Sequence, residues 1–241
     1  MKYLIGNLKM NLTYLESEKY VNDLFDNIKQ ANLKNVKVGA AFSHDAISLK
    51  HKYSNLNFLF GAQNIFHKNK GAYTGEVSIR SAIELGLDFI LIGHSERRMM
   101  FGETDNLINE KIKTLENSQI WPILCVGENL KEFEEQRVEE VLTKQINSAL
   151  EGIDILHRLI ISYEPVYCIG NGRVPDISYV QHVVDLIKKI TNNKVPVLYG
   201  GSVCDTNILD LNEVKNLDGF LVGGAALNPS NFVELAKKID K

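Results

Sequence analysis

The sequence predicts an α/β fold, a closed (β/α)8 barrel forming a single domain over residues 1–241, and three observations favour it. Eight short β-rich runs recur along the chain, amphipathic segments alternate with them, and no low-complexity linker interrupts the series. The runs are continuously apolar, as strands of a parallel sheet are when helices cover it. A doubly wound open sheet is the structural alternative, but eight strands without a second domain favour the barrel.

Each element can be assigned from its local pattern. The predicted strands are "YLIGN" at Tyr3–Asn7, "VKVGA" from Val36, "FLFGA" from Phe58, "FILIG" from Phe89, "ILCVG" from Ile123, "LIISY" from Leu159, "VLYGG" from Val197 and "FLVGG" from Phe220. Helical stripes are formed by Tyr20, Val21, Leu24, Phe25 and Ile28, by Leu107, Ile108, Ile112 and Leu115, by Val138, Val141, Leu142, Ile146 and Ala149, and by Ile177, Val180, Val184 and Ile187. A final helix is expected over 231–239. The segments after "VGAAF" and "LYGGS" are weaker and are expected to hold one or two helical turns.

Composition and net charge exclude several classes of function. The chain has 241 residues, 44% hydrophobic, and 27 basic against 30 acidic side chains give a net charge of -3, which argues against general nucleic-acid binding. The N-terminal apolar stretch is too short for a secretion signal, and no run reaches membrane-spanning length. Cys125, Cys168 and Cys204 are odd in number and lack C-x-x-C spacing. These features predict a reduced, cytoplasmic protein that binds no membrane.

Polar residues with useful chemistry follow the ends of the predicted strands. Asn7 and Lys9 follow the first strand, His94 and Glu96 the fourth, and Glu164 the sixth. In an α/β barrel all of these strand ends meet at one face, where barrel enzymes place their active sites. We therefore expect residues that are distant in sequence to share one pocket.

Each of these side chains also has a purely structural interpretation. Glu164 could cap a helix or pair with a surface lysine, His94 could be a core histidine, and Lys9 a solvated charge. Together they form a different set: a carboxylate for general-base chemistry, an imidazole able to polarise a carbonyl, and an ammonium for an anionic substrate. Glu96 is a plausible partner for Lys9.

Glycines at two consecutive strand ends predict an anion cradle. Main-chain amides can approach an oxyanion closely at glycine, and barrels frequently bind phosphate after strands seven and eight, although tight turns also need glycine. The candidates are Gly170, Gly200, Gly201, Ser202, Gly223 and Gly224. No dinucleotide fingerprint, Walker motif or H-E-x-x-H spacing occurs, so we expect neither a nucleotide nor a metal cofactor.

Seven short motifs, in this order along the chain, indicate a resemblance to a known family. "GNLKMN", "GAYTGE", "GHSERR", "CVGE", "YEPVYCIGNG", "YGGSV" and "GFLVGG" span Asn7 to Gly224, and the chain they mark closely resembles the triosephosphate isomerase family. The resemblance implies the TIM barrel, with the active site at the carboxyl ends of the strands. It also implies cofactor-free interconversion of dihydroxyacetone phosphate and glyceraldehyde 3-phosphate in glycolysis and gluconeogenesis.

The resemblance also implies roles for residues. Glu164 would be the general base and neutral His94 the electrophile, Lys9 and Asn7 would stabilise substrate charge, and Glu96 would orient the site. Phosphate would be held by the amides of Gly170, Ser202, Gly223 and Gly224, together with Asn7 and Lys9.

A closing lid and a dimer loop follow from two of the motifs. The implied lid comprises Pro165, Val166, Tyr167, Cys168, Ile169, Gly170, Asn171, Gly172, Arg173, Val174 and Pro175. Tyr167, Cys168 and Asn171 replace the usual Trp, Ala and Thr, and Leu8 replaces a usual Trp. "GAYTGE" implies a homodimer in which Thr74 reaches the partner's site and Glu76 pairs with the partner's Arg97; a mobile surface loop is the alternative.

Two other functions stay open on the sequence. A Schiff-base barrel aldolase would use Lys9 as nucleophile, although a neighbouring Glu96 should keep that ammonium charged. The second is a catalytically silent phosphate-binding protein. Such a protein would need no general base, so the combination of Glu164 and His94 argues against it.

Overall fold

Eight parallel strands close into one barrel in the computed structural model, which describes residues 1–53, 57–168 and 175–240. The strands are β1 (Lys2–Asn7), β2 (Val36–Phe42), β3 (Leu59–Ala62), β4 (Phe89–Ile92), β5 (Trp121–Val126), β6 (Ile160–Tyr163), β7 (Val197–Tyr199) and β8 (Gly219–Val222). Each pairs with its neighbour in sequence, and β1 closes the barrel on β8. The predicted barrel and all eight predicted strands are confirmed; β5 begins two residues before Ile123.

Helices lie between the strands. They are α1 (Tyr14–Ala31), α2 (Leu49–Lys52), α3 (Ile79–Glu84), α4 (Ser95–Met100), α5 (Asp105–Leu115), α6 (Leu130–Glu134), α7 (Val138–Leu150), α8 (Ile177–Ile190), α9 (Ile208–Asn212) and α10 (Pro229–Ile239). The long helices coincide with the amphipathic stripes. The two weak segments form α2 and α9, each little more than one turn, as expected.

Three short helices have no stripe that predicts them, because one or two turns do not repeat an apolar position often enough. Their starts are fixed by capping instead. The Ser78 hydroxyl accepts a hydrogen bond from Ser81 N–H at the start of α3, and Asn129 and Glu132 form a capping box at α6. His94 caps α4 with its ring, which brings a candidate site residue to a helix start.

The strands bury both faces, which explains their continuous apolar sequence. Alternate residues such as Phe89 and Leu91 belong to a cluster made of strand residues alone, which fills the barrel interior. The intervening Ile90 and Ile92 belong to a larger cluster that includes the helices. Packing on both sides fixes the strand register and therefore the positions of the residues at the strand ends.

No helix in the described residues is long and apolar enough to cross a membrane.

Candidate active site

Most of the strand-end residues predicted to share a pocket line one cavity of about 340 Å³ at the carboxyl face of the barrel, but Glu96 does not. Its walls include Asn7, Lys9, His94, Glu164, Gly200, Gly201, Ser202, Gly223 and Gly224. A second cavity of about 270 Å³ shares Asn7, Lys9 and His94 and continues towards Glu96 and Arg97. The barrel thus brings together residues from β1, β4, β6, β7 and β8.

Glu164 lies directly after β6 and is almost completely buried, with 1% of its surface exposed. Its Oε2 accepts a hydrogen bond of 3.1 Å from the backbone N–H of Ser95, the first residue of α4. Its Oε1 has no hydrogen-bond partner among the described residues. Burial of a carboxylate oxygen without a partner is costly, which is typical of a group that reacts rather than stabilises the fold.

Two glycines make room for Glu164. A Cβ on Gly127 would lie 1.7 Å from the Glu164 carbonyl oxygen, and a Cβ on Gly200 would lie 3.0 Å from Glu164 Cγ. Any larger residue at Gly127 would collide with the backbone, and one at Gly200 would crowd the side chain. The position of the carboxylate is therefore restricted by the residues directly after β5 and β7.

His94 lies next to Glu164 in the wall of the cavity. Its Nδ1 accepts a hydrogen bond of 3.2 Å from Glu96 N–H, so that nitrogen carries no proton in this geometry. The neutral ring therefore carries its proton on Nε2, which lies 3.6 Å from Glu164 Oε1. A donor nitrogen next to a carboxylate oxygen that has no hydrogen-bond partner among the described residues forms an acid–base pair in one part of the cavity wall.

Lys9 adopts a backbone conformation that is unusual for a side-chain-bearing residue, with φ of 51°. Two hydrogen bonds hold it: Asn7 Oδ1 accepts from Lys9 N–H at 3.1 Å, and Gln63 Nε2 donates to Lys9 O at 2.8 Å. The ammonium lies 2.5 Å from Glu96 Oε1. The expected pairing of Lys9 with Glu96 is confirmed.

The glycine-rich segments after β7 and β8 border the same cavity as Lys9. A Cβ on Gly223 would lie 3.7 Å from Lys9 Cε, so the eighth strand end faces the ammonium. The Ser202 hydroxyl donates to Cys168 O at 2.8 Å, which joins this segment to the turn that follows Glu164. Gly170, the remaining predicted phosphate contact, lies outside the described residues.

The described part of the predicted lid is its beginning and its last residue. Val166–Cys168 forms a 3-10 turn immediately after Pro165, and Pro175 precedes α8. Cys168 is 1% exposed. The other predicted lid residues, Ile169, Gly170, Asn171, Gly172, Arg173 and Val174, lie outside the described residues.

The predicted dimer residues are distributed over the surface of the chain. Thr74 and Glu76 lie on an exposed loop, and Arg97 Nε lies 2.5 Å from Glu103 Oε1 within the same chain. Arg97 also lines the second cavity. Large exposed apolar side chains lie near Arg97: Met10 and Phe101 line the same cavity, and Met99 and Met100 follow in α4.

Two residues that no sequence motif singles out contribute to the site. Gln63 holds the Lys9 backbone, and its only sequence signal is its place directly after β3. Cys125 lies inside the barrel beside Glu164, and burial together with that nearby carboxylate raises the pKa of its thiol well above the ordinary range. Within 1–53, 57–168 and 175–240, no three His, Cys, Asp or Glu side chains form a group suited to a metal ion.

Comparison with known proteins agrees with this arrangement. The triosephosphate isomerase family model matches residues 2–239. Proteins named triosephosphate isomerase from Mycoplasma mobile and Mycoplasmopsis pulmonis are 37% and 38% identical, covering 98% and 96% of this chain and 99% and 95% of their own lengths. The protein of that name from Finegoldia magna is 39% identical over 96% of both chains. This chain is therefore an isomerase that belongs to the triosephosphate isomerase family.

Proposed function

We propose that this protein interconverts dihydroxyacetone phosphate and D-glyceraldehyde 3-phosphate through an enediolate, without a cofactor. The observation that carries the proposal is the Oε1 of buried Glu164, which has no hydrogen-bond partner in the part of the chain that the structure describes and lies 3.6 Å from the Nε2 of His94. A base and a proton donor placed this way suit the transfer of protons between adjacent carbon and oxygen atoms. Family membership supports the triose phosphate as substrate.

In the proposed reaction, Glu164 takes a proton from the carbon next to the substrate carbonyl and later returns it to the neighbouring carbon. The electron pair of the broken C–H bond moves towards the carbonyl oxygen and forms the enediolate. His94, protonated on Nε2, donates to that oxygen and passes protons between the two oxygens. Its Nδ1 is occupied by Glu96 N–H, which supports the neutral tautomer that the chemistry needs.

Charge on the substrate is met from the opposite side of the cavity. Lys9 and Asn7 stabilise the developing oxyanion, and Glu96 orients the Lys9 ammonium at 2.5 Å. The phosphate is held at Ser202, Gly223 and Gly224, and by Gly170. Pro165 to Pro175 is proposed to close over the substrate and exclude water, because a solvated enediol phosphate can lose phosphate before it is reprotonated.

An aldolase using Lys9 as a Schiff-base nucleophile is the rival enzyme class. Nucleophilic lysines have a lowered pKa, which desolvation or a neighbouring cation provides. Lys9 instead lies beside the Glu96 carboxylate. Borohydride added with a sugar phosphate would trap a covalent adduct on an aldolase, and we expect none here.

A coupled assay with purified protein tests the isomerase directly. Dihydroxyacetone phosphate is supplied as the substrate, and the glyceraldehyde 3-phosphate formed is detected by a method that does not depend on NADH. This measurement reports turnover in one direction. We expect turnover without added metal or cofactor. A folded sample that binds phosphate but gives no turnover would instead favour the silent phosphate-binding alternative.

We also propose that the protein is a cytoplasmic homodimer. Thr74 would reach the partner near Asn7 and His94, where the second cavity opens, and Glu76 would pair with the partner's Arg97. The exposed apolar side chains Met10, Met99, Met100 and Phe101 support burial of this surface. Sedimentation should show a dimer at assay concentrations, and a fully active monomer would contradict the proposal.

A further inference from the structure

A completely buried carboxyl group lies beside the turn that follows Glu164. Glu128, two residues after β5, is 0% exposed, and its Oε1 accepts hydrogen bonds from Tyr163 Oη at 2.8 Å and Tyr179 Oη at 3.1 Å. Its Oε2 has no partner among the described residues. The two phenol hydroxyls therefore help to fix the position of this carboxyl group, together with a hydrogen bond from its own backbone N–H.

The backbone of the same residue holds the turn. Val166 N–H donates to Glu128 O at 3.1 Å, and Cys168 N–H donates to Pro165 O at 2.8 Å. Gly127 packs its Cα against the Glu164 carbonyl with no space for a Cβ. The segment Gly127–Glu128 consequently contacts the chain both at Glu164 and two residues later.

An aromatic stack holds the turn from the side. The Tyr167 ring stacks on Phe133 of α6, with centroids 4.4 Å apart and planes 27° from parallel. Tyr179 of α8 packs edge-on against the same Phe133, at 5.2 Å and 87°. Such arrangements are favourable for aromatic pairs. Phe133 thus joins the turn to α8, and the Tyr179 hydroxyl joins α8 to Glu128.

We propose that Tyr179 and Phe133 are positioning residues for Glu164: they fix the turn Val166–Cys168, through Glu128 and Tyr167, and thereby the carboxylate at its start. The inference rests on the proposed role of Glu164 as general base. Neither side chain lines the substrate cavity, so both act through other residues. A small displacement of a base from its proton lowers the chemical rate more than substrate binding.

The variants Y179F and F133L test this inference. Y179F removes one hydroxyl and keeps the ring. Y53F is its matched control, because the Tyr53 hydroxyl donates a hydrogen bond of 2.7 Å to Asn22 Oδ1, and this bond lies away from the site. Hydrogen exchange of the Val166 amide should become about tenfold faster in Y179F, because the variant loses one buried hydrogen bond to a carboxyl group. The exchange rate should stay unchanged in Y53F. We expect kcat to fall about five- to tenfold with KM changed less than about twofold.

The exchange readout separates this inference from the proposed function. If the wild type shows no isomerase turnover, the proposed function fails, and the exchange rates still report whether Tyr179 and Phe133 hold the turn. Unchanged exchange at Val166 and Cys168 in both variants would overturn the inference. So would faster exchange with wild-type kcat in an active enzyme, because the turn would then not position Glu164. Should F133L fail to fold, Y179F decides alone.

Discussion

Glu164 Oε2 accepts a hydrogen bond from the Ser95 backbone, while its Oε1 faces His94 Nε2 at 3.6 Å. One oxygen is held by the first residue of α4, and the other is left for the cavity. Because His94 caps that same helix with Nδ1, the N-terminus of α4 orients both members of the pair. The carboxylate and the imidazole thus have one common support.

A substitution that keeps the shape of the Glu164 side chain but removes its basicity should lower the turnover rate and leave the anion site intact. We expect Glu164→Gln to lower kcat by about 10²–10⁴, the range attributed to a positioned acid or base. Binding of inorganic phosphate, measured by calorimetry, should be retained because the cradle lies on β7 and β8. A variant with near-wild-type kcat would exclude Glu164 from its proposed role.

Gly200 provides a test of how closely the base is packed. A Cβ there would lie 2.5 Å from Ser162 Oγ and 3.0 Å from Glu164 Cγ, so Gly200→Ala should displace Glu164 and lower kcat about tenfold or more. The Ser162 hydroxyl has no hydrogen-bond partner among the described residues. Ser162→Ala alone should therefore be nearly neutral, and it should partly restore kcat in the double variant. Steady-state kinetics of the four proteins decides this, and additive effects would contradict the packing argument.

The three cysteines should differ sharply in reactivity. Cys125 and Cys168 are buried, whereas Cys204 is exposed, and a hydrogen bond with the Thr206 hydroxyl at 3.1 Å lowers the pKa of its thiol. Because the thiolate is the nucleophile, iodoacetamide should alkylate Cys204 first, with a rate that rises at lower pH than for an ordinary thiol. Peptide mapping by mass spectrometry measures this. In Thr206→Val the pH midpoint should move upward, and alkylation of Cys125 before Cys204 would contradict the assignment.

The barrel and the convergence of its strand ends could be predicted because they follow from repeated local signals. Each strand is apolar on both faces, and strand ends of a parallel barrel meet at one face whatever the loops do. Lys9, His94 and Glu164 therefore share a cavity as the sequence indicates. Their placement required only the order of strands.

The fine geometry could not be predicted because it depends on contacts between distant segments. Nothing in "LKM" indicates that Lys9 has φ of 51°, since the hydrogen bond from Gln63, which follows β3, is formed only after β1, β2 and β3 have assembled. The same holds for Cys125 beside Glu164 and for the Ser95 bond. Arg97, which the resemblance pairs with the partner's Glu76, also pairs with Glu103 in its own chain, a contact between α4 and the loop before α5 that no local pattern predicts.

Glu128 should make the folded state less stable as pH rises through the weakly acidic range. Burial raises the pKa of its carboxyl group, and the hydrogen bonds from its own backbone N–H, Tyr163 and Tyr179 only partly oppose this. In the window between the ordinary carboxyl pKa and the raised native value, the native state holds a proton that the unfolded chain has released. The unfolded state then binds fewer protons, so the free energy of unfolding falls with pH across that window and is constant above it.

Urea unfolding from about pH 4 to about pH 8, at one protein concentration, measures this effect against Glu128→Gln, which cannot titrate. The difference in unfolding free energy, wild type minus variant, should decrease as pH rises. Glu16→Gln is the control of opposite sign, because bonds from Thr13 lower the pKa of exposed Glu16 and its contribution is lost as pH falls. A wild-type minus Glu128→Gln difference that does not vary with pH would show that Glu128 has the same pKa in the folded and unfolded states.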